Sequence, residues 1–343
     1  MSTHKHLQHG PIDVHAHMVP HDFPANTANE ARWPCMERRS PIDATVMIAG
    51  KPFRQLDDRS WDVKRRIEDM DRDGVAAQAL SPMPELLSYW FDRAGAELFC
   101  DYVNEDIAEQ VKLAPNRFVG LGSVPMQFPD LAVKHLRRVH EVYGLSGIEI
   151  GSNINGAMLG DAKFDPIYEA AADLGLAIFV HALHPVAMKN VEFPQMYVNT
   201  LGFPIDNAMA VASLLAAGTL EKHPKLRLGF SHGGGAIAPI LHRITAGWRI
   251  PLNNNLGSGG DARSPADEQA AKMFFDSNVY EPAYLAYLTK KLSPNRIMLG
   301  TDYPYAIMQL DPVAYVKKAG FDQKTYDSLM WGAAHEFLNA SSK

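Results

Sequence analysis

The sequence predicts an α/β fold, specifically a (β/α)8 TIM barrel with a small lid inserted after the first strand. Three observations carry this. Short apolar runs suited to buried strands recur eight times along the chain. Amphipathic helical patterns lie between most of them, which argues for βαβ units and a parallel sheet. Several runs end in His or Asp, and a parallel barrel gathers its chemistry at such strand ends.

Taken in order, the strand runs are PIDVH (11–15), VAAQAL (75–80), RFVGLG (117–122), GIEIG (147–151), AIFVH (177–181), LRLGFSH (226–232), MFFD (273–276) and RIMLGTD (296–302). Eight of them argue for a closed barrel over an open sheet. Asp62 to Asp73 places Val63, Ile67 and Met70 on one helical face. Leu131–Tyr143 and Phe164–Leu174 repeat the pattern. The stretch 18–60 is rich in Pro, Arg and Trp and is too long for an ordinary connection. It predicts a lid, with a hairpin around Ala44–Arg54. Residues 251–268, rich in Gly, Asn and Ser, predict a mobile loop. The whole of 1–343 is expected to form one domain, since α/β barrels often run to this length.

Composition bounds the function. The 343 residues are 46% hydrophobic and 21% charged, ordinary for a soluble globular protein. The net charge of -6 and the lack of a basic stripe argue against nucleic acid and anionic membranes as partners. Cys35 and Cys100 are too few for a disulfide framework and match no zinc or redox spacing, which suits a reducing cytoplasm. The N-terminus has no apolar signal core, and the apolar runs fall short of a membrane span.

The chemistry-bearing residues begin with Asp13-Val14-His15-Ala16-His17. Residues i and i+2 of a strand share a side, so the two histidines project together. Two neutral imidazoles make half of a divalent-metal site. Alone the pair is ambiguous, because the chain has 14 histidines. His181, His232 and Asp302 close three further strands, and five such residues at one barrel face suit an assembled site. His15, His17, His181 and Asp302 give an N₃O shell with an open position. Zinc fits these donors best, with manganese or another divalent metal as the alternative. His232 precedes three glycines and is read as the acid/base group that activates a metal-bound water or polarises the substrate. Its competing role is ligand to a second metal. Glu149 in GIEIG is the nearest bridging carboxylate for a binuclear site. A barrel-interior carboxylate paired with a base is the favoured reading, so one metal is expected.

The pattern D-x-H-x-H, the strand-five histidine, S-H-G-G-G and G-T-D-Y-P together resemble the amidohydrolase superfamily, in particular its 2-amino-3-carboxymuconate-6-semialdehyde decarboxylase-like branch. The likeness extends through WDVKRRIEDMDRDGVAAQALSPMPELLSYW, GLGSVPMQFPDLAV, GIEIGSNING and KHPKLRLGFSHGGGAIAPILHRI, and so covers nearly the whole chain. The resemblance implies a β/α barrel, one zinc on His15, His17, His181 and Asp302, and His232 as catalytic histidine. It also implies two substrate-binding arginines, matched by Arg54 and Arg243. The second acts across a subunit interface in the family, so a homodimer is implied. Guanidinium forks suit carboxylates, although on the sequence alone a surface charge is the favoured reading of either arginine.

One departure concerns the pocket. Where the branch has Pro-Trp-Asp after the strand-five histidine, this chain has Ala182-Leu183-His184-Pro185. His184 is either a substrate contact or an exposed loop histidine. The expected activity is metal-dependent, non-oxidative decarboxylation of a small carboxylated unsaturated or aromatic acid, with Asp302 and His232 in the catalytic machinery. The rival is a hydrolase or hydratase acting on a C–N, C–C or C=C bond with the same metal site. A barrel that binds metal without turnover would be expected to lack one of the five polar residues, and all five are present.

Overall fold

The structure, a computed structural model, describes residues 5–250 and 264–342. All eight expected strands form, as Ile12–Met18, Ala77–Pro82, Phe118–Gly122, Gly147–Gly151, Ala177–His181, Arg227–Phe230, Phe274–Asp276 and Ile297–Met298. They pair in chain order as one parallel sheet. The eighth strand's continuation returns to the first and closes the barrel. Val14 N donates to Leu299 O at 2.9 Å, Asp302 N to His15 O at 2.8 Å, and His17 N to Tyr303 O at 2.7 Å.

Alternation along the strands divides the apolar residues into two clusters. Ala77 and Ala79, Val119 and Leu121, and Ala177 and Phe179 belong to one, which Leu7 and Phe337 also join. Phe179 lies 5.3 Å, ring to ring, from His15, so this cluster sits directly beneath the histidines. Ile148, Ile150, Ile178, Val180 and Phe230 belong to the larger cluster shared with the surrounding helices. The site therefore rests on a packed floor, and side-chain positions there are held by close contact.

The expected helices are Val63–Asp73, Pro129–Glu141 and Asp165–Leu174. The first starts at Asp62, whose side chain accepts from Lys64 N and Arg65 N, and stops at Gly74 in the left-handed region. Its buried Arg66 donates to His17 O at 2.6 Å and to Arg59 O at 2.9 Å, tying this helix to the metal-site strand. The helical stretch Val198–Ala217 is long and apolar enough to cross a membrane by length and composition, contrary to the expectation from apolar runs. Within this barrel it is a packing helix. Asp206 and Asn207 are fully buried on it and take hydrogen bonds from Ser152 and give them to Ser231 respectively.

The insertion is a three-stranded antiparallel sheet, Pro34–Ser40, Asp43–Ile48 and Lys51–Asp57. The expected hairpin is its second and third strands, turning through Ala49 and Gly50, both at positive φ (52° and 70°). Two left-handed central residues are what a tight type I′ hairpin demands. Between the pairs Val46–Arg54 and Met47–Pro52 the register shifts, leaving Phe53 as an extra residue. In a regular strand Phe53 and Arg54 would face opposite sides. The bulge lets both line the same cavity.

The loop expected over 251–268 lies outside the described residues up to 263. Ala266–Ala270 is a short helix, so the expected loop ends sooner than its composition suggested. Cys35 is exposed and Cys100 buried, both as free thiols.

Candidate active site

The ligand atoms of His15, His17, His181 and Asp302 lie within 4.8 Å of one another, and all four residues are buried. The Nε2 atoms of His15 and His17 are 3.1 Å apart. Asp302 Oδ1 is 3.4 Å from His15 Nε2 and 3.2 Å from His17 Nε2. Ring contacts bring His181 within 5.1 Å of His15 and 4.9 Å of His17.

The partners of the far ring nitrogens set the tautomers. His15 Nδ1 faces Asp276 Oδ2 at 2.6 Å, His17 Nδ1 faces Pro82 O at 3.1 Å, and His181 Nδ1 faces Ala182 O at 2.8 Å. Each of these oxygens accepts only, so each Nδ1 carries the proton and each Nε2 turns a bare lone pair inward. Two lone pairs 3.1 Å apart repel unless a cation stands between them. His181 Nε2 and Asp302 Oδ1 are buried with no hydrogen-bond partner among the described residues. Orphaned inward-facing donor atoms in an N₃O set fit a divalent cation.

The charge balance agrees. His181 is held well below its ordinary pKa by burial and by its histidine neighbours. His15 is lowered, chiefly by burial. In Asp302 burial pushes upward, but His15, His17 and His232 outweigh it and keep the carboxylate well below its usual range. His17 moves the other way: burial depresses it, and Glu149 and Asp302 together raise it. A cation at Nε2 would oppose that extra proton.

His232 differs from the three in its partners. Its Nδ1 lies 3.1 Å from Ser231 Oγ and 3.5 Å from Asn207 Nδ2. Asn207 Nδ2 also donates to Ser231 Oγ at 2.9 Å, which leaves the serine hydroxyl hydrogen free to point at Nδ1. Donors on Nδ1 place the neutral ring's proton on Nε2. That Nε2 sits 3.6 Å from Asp302 Oδ2, the carboxylate oxygen that does not face His15 and His17. Three histidines thus present lone pairs, and the fourth presents a proton.

The triple glycine follows from this packing. Gly233, Gly234 and Gly235 all have positive φ, and a Cβ on Gly235 would overlap the Pro204 carbonyl. His232 and Asp302 are themselves at φ 53° and 67°, a strained conformation concentrated at this site.

Asp276 was not singled out from the sequence. It ends the seventh strand as His181 ends the fifth, which is the signal that could have found it. Besides orienting His15, its Oδ1 accepts from Gly233 N at 2.8 Å and Asn278 N at 3.1 Å. It therefore ties a candidate ligand to the His232 loop. Asp276→Asn is expected to weaken divalent-metal affinity about 10–100-fold, the usual cost of losing such an outer partner. Competition against a chromogenic chelator measures this. Asp13 is likewise no ligand: it accepts from His15 N, Gln78 Nε2 and Thr301 N and Oγ1, pinning the first strand to the eighth. Burial pushes it up to about 6.

Glu149 lies on the far side of His17, 3.6 Å from Nδ1, and is outside the four-residue cluster. Burial pushes it up to about 7. Its place behind His17 is that of a barrel-interior carboxylate.

A cavity of about 800 Å³ opens above the cluster, lined by Arg54, Glu85, His184, His232, Tyr280 and Tyr305 among others. Arg54 stands 4.4 Å over the Tyr305 ring, and Tyr305 stacks on His17 at 5.2 Å. No acidic residue among those described pairs with Arg54. Arg243 is different: it is exposed on helix Ile237–Trp248 and does not line this cavity. His184 does line it, with its Nε2 2.9 Å from Glu85 Oε2.

A parallel barrel with three imidazoles and a carboxylate converging at its C-terminal end, beneath one cavity, defines a metal-dependent barrel enzyme. The amidohydrolase family model matches residues 12–340, and the chain belongs to that family. It is 34% identical to 2-amino-3-carboxymuconate-6-semialdehyde decarboxylase of Dictyostelium discoideum, over 95% of this chain and 91% of that protein. Among solved structures it resembles 5-carboxyvanillate decarboxylase from Sphingomonas paucimobilis, at 25% identity and a TM-score of 0.73, covering 82% of this chain and 84% of that one. The fold is also that of a dihydroxybenzoic acid decarboxylase from Polaromonas sp. holding manganese and 2-nitroresorcinol, at 19% identity and a TM-score of 0.75, covering 96% and 97%.

Proposed function

We propose that this protein is a metal-dependent, non-oxidative decarboxylase of a small carboxylated aromatic or unsaturated acid. The observation that carries the reading is the contrast in Nδ1 partners, acceptor oxygens on His15, His17 and His181 and the Ser231 hydroxyl on His232, which assigns three Nε2 lone pairs beside Asp302 and one Nε2–H facing the same cavity. A divalent cation bound by His15, His17, His181 and Asp302 supplies Lewis-acid polarisation of substrate oxygens. Zinc suits the N₃O donors, and manganese is compatible with the same residues. As the imidazolium, His232 is placed to give its Nε2 proton to the carbon that bears the leaving carboxylate and so returns to the neutral ring. The C–C bond electrons then end in a C–H bond and carbon dioxide departs. Asp302 Oδ2 stabilises the imidazolium whenever His232 is recharged. Arg54, without an acidic partner among the described residues, receives a substrate carboxylate.

The insertion that carries Phe53 and Arg54 acts as a lid over the cavity, limiting water there. A homodimer would complete the pocket with Arg243 from a second copy, since this exposed arginine does not reach its own chain's cavity. A cytoplasmic location suits the two free thiols.

Supplying carboxylated aromatic acids to the metal-loaded protein should release carbon dioxide. Ammonia or acid release without carbon dioxide would favour the hydrolase reading. Arg54→Met is expected to lower kcat/KM about 10–100-fold, mainly through KM, because a charge-assisted contact worth about 1.5–3 kcal/mol is lost. Steady-state kinetics on the best acid of the panel checks this, and an unchanged KM would remove Arg54 from the substrate site.

A further inference from the structure

The cavity has a second polar corner, built from residues that the metal site does not use. Glu85 is almost fully buried at its rim, and its two oxygens have different partners. Oε1 accepts from Arg32 Nη2 at 2.8 Å, and Oε2 accepts from His184 Nε2 at 2.9 Å. Trp90 joins the side chains of both Glu85 partners: Arg32 lies 3.8 Å over it, and the His184 ring stacks on it at 5.2 Å and 20°. His184 thus sits in one orientation, although its side chain is half exposed. Its backbone is at φ 46°, a conformation that costs a non-glycine residue energy. Asn153 Nδ2 steadies that turn by donating to Leu183 O and His184 O.

The chemistry of the exposed nitrogen follows. Arg32 already balances the charge of Glu85, so the trio is neutral overall with a neutral imidazole. Glu85 fixes the ring proton on Nε2. Nδ1 then carries a lone pair, and no bond among the described residues uses it. Arg54 supplies the cation for an acid group elsewhere in the same cavity. We infer that His184 is a specificity-determining residue, whose Nδ1 accepts a hydrogen bond from a hydroxyl or amino group on the substrate, with Glu85 and Arg32 as its positioning residues. This rests on the reading of the cavity as a site for small carboxylated acids.

The test measures binding, so it does not depend on turnover. Metal-loaded full-length protein is titrated by calorimetry with benzoate, 2-hydroxybenzoate, 2,6-dihydroxybenzoate and 2-aminobenzoate. The wild type should prefer a hydroxyl- or amino-bearing acid to benzoate by about tenfold or more, as a site built around a polar group does. His184→Phe keeps a flat ring on Trp90 and removes the acceptor. It should erase that preference while leaving benzoate affinity within about twofold. Glu85→Gln, which loosens the imidazole, should reduce the preference partially. Equal losses for all four acids in His184→Phe would make His184 structural and overturn the inference, as would a preserved preference. Binding of all four acids by the wild type without preference overturns it too, while leaving the decarboxylase reading standing. Binding of none overturns both.

Discussion

The His181→Ala variant is expected to lose activity by about 10³-fold or more and to bind divalent metal far more weakly than the wild type. His181 Nε2 is buried with no hydrogen-bond partner among the described residues, and it belongs to the four-residue cluster of ligand atoms. Lewis-acid stabilisation of this kind is worth several kcal/mol at the transition state, and each 1.4 kcal/mol is tenfold in rate. The fold should persist, since Phe179 and the barrel floor do not depend on that ring. Metal content by elemental analysis, kcat/KM on the best substrate, and thermal unfolding with and without added metal together check this. Retention of both metal and turnover would exclude His181 from the ligand set. The wild type should also unfold at a higher temperature with metal than after chelation, because an ion that binds only the folded state stabilises it by mass action.

His232→Ala should give the converse separation. Its Nε2 faces Asp302 Oδ2 at 3.6 Å, but its partners put a proton there in place of a lone pair. Removing it is expected to lower kcat about 10²–10⁴-fold, the range for a positioned proton donor, with metal content unchanged. A variant that loses its metal would place His232 among the ligands. A variant that keeps both metal and kcat would end its assignment as the acid. His232→Asn, similar in polarity but with no transferable proton, should behave like the alanine variant.

Much of this site is legible in the sequence because a parallel barrel converts strand ends into neighbours. His15 and His17 are found by their i, i+2 spacing on one strand and His181, His232 and Asp302 by that rule, and the structure brings all five together. The rule also applies to Asp276, but a strand-end carboxylate in MFFD carries no mark that separates an orienting partner from a structural acid. The tautomer-setting acceptors Pro82 O and Ala182 O are backbone atoms, invisible to any reading of side chains. Arg54 is a different case. Alternation along a strand would place it on one face and Phe53 on the other, and only a bulge in the insertion puts both into the cavity. The first strand of that insertion, Pro34–Ser40, has mixed polar residues because one face is solvated, so it shows no apolar run. The replacement of Pro-Trp-Asp by Ala182-Leu183-His184 announced a changed pocket. Its meaning depends on Glu85, Arg32 and Trp90, which lie far away in the chain.

The most direct measurement follows the fate of the carboxyl carbon and of the proton that replaces it. The metal-loaded protein is given its best acid in deuterated water, and carbon dioxide and product are both quantified. The expected result is one carbon dioxide per product molecule, one solvent deuterium on the carbon that lost the carboxylate, and no turnover after chelation until metal is restored. Product formed without carbon dioxide, or carbon dioxide released equally by the metal-free protein, would contradict a metal-dependent decarboxylase built on His15, His17, His181 and Asp302.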